Sequence, residues 1–196
     1  DPHGPPARPF HVEALPEEAA REAVRLARRL ALPLEGYTAD GGFFVEGDSP
    51  LLEAHQRLLG VEAEGADLLR LSSPLVRLQV LAEGEAPVER LLEALPRGLQ
   101  AHVAESPKMP GVRFVSLTKE GVSKLSAARL VAEAYGLPLS ECAMVGDGEN
   151  DLELLRAVGV GIAMGNAPPS VKRAAQRVVA PVEACGLAEA LRLLRG

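Results

Sequence analysis

The spacing of apolar residues changes character near the middle of the chain, and the change predicts two kinds of architecture. Over residues 16–32, Ala19, Ala23, Leu26, Ala27 and Leu30 share one stripe at helical spacing, entered through Pro16, Glu17 and Glu18. Segments 34–38 and 43–45 flank Asp40-Gly41-Gly42, a hairpin turn signal. A helix is predicted over 50–59, ended by Gly60, and residues 76–80 alternate in strand fashion. A helix around 88–94 and strands near 99–104 and 112–117 complete this half. That order predicts an α+β module with helices covering one face of a largely antiparallel sheet.

From Lys124 onward helix and strand alternate. A helix over 123–135 is broken by Gly136 and Pro138, and a short apolar strand follows at 142–145. Next come a helix to Ala157, a strand at 160–163, a helix over 169–176, Val178 and Val179 in extended form, and a last helix over 187–194. Alternation of this kind predicts the α/β class, with part of a doubly wound parallel sheet.

Candidate chemistry gathers at two helix entrances in this second half. Gly146-Asp147-Gly148-Glu149-Asn150-Asp151 joins the end of the 142–145 strand to a helix, and ligands collect where strands of open α/β sheets end. Asp147 can offer a hard carboxylate oxygen of the kind Mg²⁺ takes, although Gly, Asp and Asn are also what an ordinary turn would use. The second entrance is Thr118-Lys119-Glu120-Gly121-Val122-Ser123-Lys124-Leu125, where Ser123 is placed to cap and Lys124 falls in the first turn. A cation beside the positive end of a helix dipole is electrostatically misplaced unless an anion such as phosphate lies between them; a lysine merely extended into solvent is the plain alternative.

These stretches, with Ala163-Met164-Gly165-Asn166-Ala167 and the closing Cys185-Gly186-Leu187-Ala188-Glu189-Ala190-Leu191, resemble the haloacid dehalogenase superfamily, specifically its Cof-type sugar-phosphate phosphatases. The resemblance covers roughly residues 12–194. It implies a linker or tail over 1–11, an α+β cap that sets substrate choice over 12–116, and the C-terminal part of the core domain over 117–196. It also implies Mg²⁺-dependent hydrolysis of a small phosphorylated metabolite such as a sugar phosphate. In that scheme Asp147 ligates the metal, Lys124 neutralises the phosphoryl group, and Asn150 donates its amide to a phosphate oxygen. Asp151 either holds a metal-bound water or orients Lys124, a carboxylate that only stabilises the helix start being the plain alternative; Asn166 supports the loops, although turn chemistry alone would also choose Asn there. The family's Asp-x-Asp-x-Thr nucleophile signature is not found in these 196 residues. The expectation is therefore a fragment that begins just before the cap and is inactive alone. Its nucleophile strand would come from the rest of the protein or be supplied in trans. A non-catalytic phosphate-binding module or a phosphomutase relative would share the same motifs.

Composition narrows the classes. The net charge of −6, with no Lys/Arg-rich stripe, argues against nucleic acid, and no apolar run reaches the length of about 18 residues that a membrane span needs. A cytoplasmic location is expected. Cys142 and Cys185 form neither a disulfide framework nor a metal cluster and are expected to be packing residues, and the four histidines lack zinc spacing. The Ala-Leu-Arg face of the 18–32 helix would also suit a homodimer contact.

Overall fold

The computed structural model describes residues 9–195, so His3 and most of the expected 1–11 tail lie outside the described residues. The chain forms two compact units that divide between Glu120 and Gly121.

The first unit is a six-stranded sheet in the order β3-β2-β1-β4-β6-β5. Helix α1 (Glu17–Arg29) leads into the hairpin β1 (Leu34–Thr38) and β2 (Phe43–Glu46). Helix α2 (Pro50–Leu59), the short β3 (Glu64–Gly65) and β4 (Leu75–Glu83) follow. Helix α3 (Ala86–Glu93), β5 (Leu99–Ser106) and β6 (Met109–Lys119) close the unit. The stripe of α1 is buried as its spacing predicts: Ala23, Val24 and Ala27 pack with Leu78, Val80, Val115 and Leu117, and Leu91 of α3 joins them.

Helices lie on both faces of this sheet, which corrects the one-face expectation. Successive strand residues point to opposite faces. Leu81 and Phe114 therefore leave the α1 side and pack under Leu52 of α2. The physical reason is topological. Strands β2 and β3 are parallel neighbours, a pair that a hairpin cannot connect, so α2 is their crossover and must lie on a face. Strand β3 has two residues, too few for periodicity to reveal. His55 of α2 is buried: its Nδ1 lies 2.6 Å from Oε1 of the fully buried Glu35.

The second unit starts with α4 (Lys124–Ala134) and continues β7 (Ala143–Gly146), α5 (Leu152–Ala157), β8 (Val160–Ala163), α6 (Pro169–Ala174), β9 (Arg177–Val178) and α7 (Gly186–Leu194). Its strands are parallel in the order β7-β8-β9. Ala163 packs with Leu155 and Val171 on one face, while its neighbour Ile162 packs with Val179 and Ala190 on the other. Helices thus cover both sides, the doubly wound arrangement expected. Among the described residues β7 pairs only with β8, so it is an edge strand.

The cysteines depart from expectation. Cys142 precedes β7 and is half-buried, whereas Cys185 is exposed and adopts φ 57° at the entrance to α7. Cys185 turns the chain rather than filling a core. No helix among the described residues is long and apolar enough to cross a membrane.

Candidate functional site

All four predicted site residues lie in the second unit, on two chain segments that enter helices. Lys124 is the first residue of α4, where Ser123 and Ser126 cap each other: the Ser123 hydroxyl accepts from Ser126 N–H at 3.0 Å, and the Ser126 hydroxyl accepts from Ser123 N–H at 2.8 Å. Asp147 follows the last residue of β7, and Glu149–Asp151 form a single 3₁₀ turn before α5. Helix α5 therefore starts at Leu152, directly after this turn and one residue beyond the start that the apolar spacing predicts.

That turn folds Asp151 back beneath the strand end. Its side chain is buried, 3% exposed, and both of its oxygens accept hydrogen bonds. Oδ2 accepts from the backbone N–H groups of Asp147 and Gly148, both at 3.0 Å, and Oδ1 accepts from the Lys124 ammonium. These contacts of Asp151 suit both an acid that orients Lys124 and a carboxylate that stabilises the helix start. Burial pushes its carboxyl up, but the Lys124 hydrogen bond, the Gly148 N–H, the Lys124 charge and the Asp147 N–H outweigh it. The net result lies below the ordinary carboxylate value. Lys124 itself keeps about half of its side chain in solvent (49%), so its ammonium is fixed from beneath and open above.

Gly146 makes room for this arrangement. A Cβ there would lie 2.6 Å from Asp151 Oδ2 and 2.8 Å from its Cβ, closer than real atoms approach. With its backbone N–H committed to Asp151, Asp147 turns its carboxylate to the exposed side. There its Oδ2 accepts from Asn166 Nδ2 at 3.2 Å, and Asn166 Oδ1 in turn accepts from Val182 N–H at 3.1 Å. One asparagine thus ties together the loops that follow β7, β8 and β9, all at the C-terminal ends of parallel strands.

Asn150 is exposed, and no hydrogen bond joins it to Lys124, Asp147 or Asp151; the structure places it beside the cluster rather than within it. Glu149 accepts from the Ser170 hydroxyl at 3.0 Å. Sequence reasoning missed that contact and the one from Ala180 N–H to Glu189 Oε2 at 2.8 Å, which steadies the loop after β9. Neither spacing carried a signal, because both join residues that meet only after the sheet forms.

The donor set can be tested against Mg²⁺, which takes one or two protein carboxylates and completes its octahedron with waters and substrate phosphate oxygens. Asp147 offers such an oxygen on the exposed side, whereas Asp151 is buried with both oxygens already accepting hydrogen bonds. Among the described residues no group of three or more His, Cys, Asp or Glu side chains could hold a metal, which leaves no zinc-type centre. The residues present fit a sparsely ligated hard cation.

The family model for haloacid dehalogenase-like hydrolases matches residues 9–191, and the chain belongs to that family. A phosphatase-named protein of Haemophilus influenzae is 27% identical over 179 residues, which cover 91% of this chain and 66% of that protein. The HMP-PP phosphatase of Cronobacter sakazakii is 31% identical over 137 residues, covering 67% of this chain and 48% of its own. Among solved structures, a Bacteroides thetaiotaomicron phosphatase of the haloalkanoate enzyme superfamily superposes with a TM-score of 0.76 at 27% identity, covering 93% of this chain and 66% of the other. A subclass IIB sugar phosphatase shares the fold, with a TM-score of 0.75 at 22% identity over 93% of this chain and 68% of its own. The chain therefore spans at most about two thirds of the length of these curated relatives.

Proposed function

We propose that this chain supplies the phosphoryl-binding and metal-binding side of a Mg²⁺-dependent phosphatase. The substrate would be a small phosphorylated metabolite, such as a sugar phosphate, in the cytoplasm. The observation that carries the reading is the clamp on Asp151: one buried carboxylate holds both the Lys124 ammonium and the loop that bears Asp147. In this reading Lys124 neutralises charge on the phosphoryl oxygens, and Asp147 ligates the cation. Asp151 keeps the two in fixed relation, and Asn150 turns its amide to a phosphate oxygen when substrate is bound. Phosphoryl transfer asks chiefly for positioning and charge stabilisation, which these residues supply without performing covalent chemistry. When bound, Mg²⁺ would add positive charge against the phosphoryl oxygens.

The attacking carboxylate comes, on this proposal, from a strand outside this sequence that pairs with the open edge of β7. It is provided by the same polypeptide or in trans. Two features support a covering segment: β7 pairs only with β8 among the described residues, and the helices of this unit leave Val131, Tyr135, Leu187 and Leu191 exposed. Residues 12–116 are assigned to substrate choice, and residues 117–196 to the phosphoryl site.

The test is Mg²⁺-dependent release of inorganic phosphate from a panel of sugar phosphates by the whole protein. Lys124→Ala is expected to lower kcat/KM by about 10²–10³, the cost of deleting one preorganised charge-stabilising group. Asp147→Ala should abolish the Mg²⁺ response. Near-normal kcat/KM in either variant refutes the role given to that residue.

A further inference from the structure

The two edges of the six-stranded sheet are built differently. At one edge β3 has only Glu64 and Gly65, too few residues to template another strand. At the other, β5 runs from Leu99 to Ser106 and, among the described residues, pairs only with β6. Every second residue of such an edge turns its backbone N–H and C=O away from the sheet, where another strand can use them.

A long edge is ordinarily blunted by charge, proline, a bulge or a covering segment. The middle of β5 has no such guard. Gln100-Ala101-His102-Val103-Ala104 contains no Lys, Arg, Asp or Glu, no proline and no glycine. Its ladder to β6 stays in register from Leu99 to Glu105, and the one shift comes at the final step to Ser106. His102, Val103 and Ala104 are exposed, Val103 by 47%. The apolar stripe of α1, by contrast, is buried in the core of its own unit.

The sequence of the edge specifies what pairs with it. Two copies of one strand related by a two-fold axis run antiparallel, and each register is defined by the residue that meets itself. With Ala101 on the axis, Leu99 meets Val103 of the second copy, Gln100 meets His102, and Arg97, two residues before the strand, meets Glu105. Apolar meets apolar, amide meets imidazole and cation meets carboxylate, each twice by symmetry. With His102 on the axis, imidazole meets imidazole and Glu105 meets Leu99; with Val103 on it, Glu105 meets Ala101 and Arg97 meets the buried Met109. Of these three registers only the first is complementary throughout, and cross-strand pairs of this kind are what stabilises a sheet. Arg97 is exposed and, among the described residues, has no ion-pair partner. Glu105 pairs with Arg113 yet keeps 64% of its side chain in solvent, so it can receive a second cation.

We propose that β5 is a self-recognition edge, through which two copies of this chain pair antiparallel about Ala101 and join their sheets. The self-match of charge and polarity favours a second copy over an unrelated partner. The edge shares no residue with the phosphoryl site and does not rest on that reading. Pairing along one strand buries less than a standard interface, so the expected Kd is about micromolar or weaker.

Sedimentation of the full chain over a range on the order of 1 to 300 µM, which brackets such a Kd, should show a reversible monomer–dimer equilibrium. Val103→Lys sets an ammonium against Leu99 of the second copy and should weaken the dimer by about tenfold or more. Arg97→Glu sets carboxylate against carboxylate at both ends and should weaken it several-fold. Both side chains are exposed, and circular dichroism checks that each variant folds. Leu191→Lys, on the face assigned to the covering segment, should leave the dimer intact. In a Cys142→Ala, Cys185→Ser background, Ala101→Cys should form an intermolecular disulfide under oxidised glutathione, and Ala104→Cys should not, because six residues of offset separate its two copies. The proposal is overturned if the chain stays monomeric, if association is open-ended, or if the dimer survives both Val103→Lys and Arg97→Glu. It is also overturned if Leu191→Lys dissolves the dimer, which assigns the contact to the second unit, or if Ala104→Cys cross-links in place of Ala101→Cys.

Discussion

Replacing Asp151 by asparagine keeps shape and volume while removing the one feature on which the clamp depends, acceptance at both oxygens. The carboxylate accepts from two backbone N–H groups through Oδ2 and from Lys124 through Oδ1. An asparagine must turn its NH₂ toward one set or the other, so a donor always faces a donor. Aimed at the loop, it leaves the N–H groups of Asp147 and Gly148 without their partner, at about 1–3 kcal/mol for each fully buried group. The loop is partly solvated, which brings the sum to about 2–3 kcal/mol. Aimed at Lys124, it forfeits an ion pair whose cation is half in solvent, worth at most about 1 kcal/mol, but it also sets an NH₂ against an ammonium. The assay is native-state amide exchange of the full chain, which reads the opening of this loop locally. Exchange of the Asp147 and Gly148 amides should accelerate by about 30- to 150-fold, since each 1.4 kcal/mol is tenfold. The pH dependence has a definite sign. The folded carboxyl lies below its ordinary value of 3.8, so its contribution is complete above that value and is lost as pH falls through the lower folded value. The parent should lose loop protection in that acid window, and Asp151→Asn should show no such step. Unchanged exchange at both amides, or an acid step that survives in the variant, would refute the clamp.

Three further outcomes test neighbouring parts of the argument. Gly146→Ala places a methyl 2.6 Å from Asp151 Oδ2 and should destabilise by about 1–3 kcal/mol while displacing the acid; a variant with parental melting and parental loop exchange would show that the close approach is relieved without cost. Asn166→Ala frees Asp147 Oδ2 and Val182 N–H, and Mg²⁺ affinity of the whole protein, measured by calorimetry, should fall about 10- to 100-fold. An unchanged affinity would remove Asp147 or its tether from the metal site. His55→Phe leaves the fully buried Glu35 without its closest partner and should cost about 3–5 kcal/mol in denaturant unfolding, with partial recovery on adding Glu35→Leu; additive costs would show that the two do not act as a pair.

Much of the molecule was legible from the chain because its determinants are local. Helix α2 spans Pro50–Leu59, its predicted bounds: Ser49 accepts from Leu51 N–H, proline stands at the first turn, and Gly60 closes it at φ 67°. The cap on α4 and the position of Lys124 in its first turn follow from Ser123 in the same way. Strand ends were less legible. Strands β4 and β6 run past their predicted limits because the ladder continues through positions beyond the apolar alternation, with Glu83 paired to Val112 and Lys119 paired to Leu99.

By itself the sequence determined the helix entrances, the switch to a parallel α/β pattern after Lys124, and the candidates proposed to meet a phosphoryl group and a cation. Each of these depends on capping, turn chemistry or periodicity within a few neighbouring positions. Only the tertiary structure decided that Asp151 turns inward as the shared acceptor of Lys124 and the Asp147 loop, that Asn166 bridges three strand ends, and that His55 meets Glu35 under a crossover helix. Apart from the contacts of Asp151 with its own loop, those pairings join residues 16 to 27 positions apart, and desolvation with mutual hydrogen bonding selects them only once the sheets have formed.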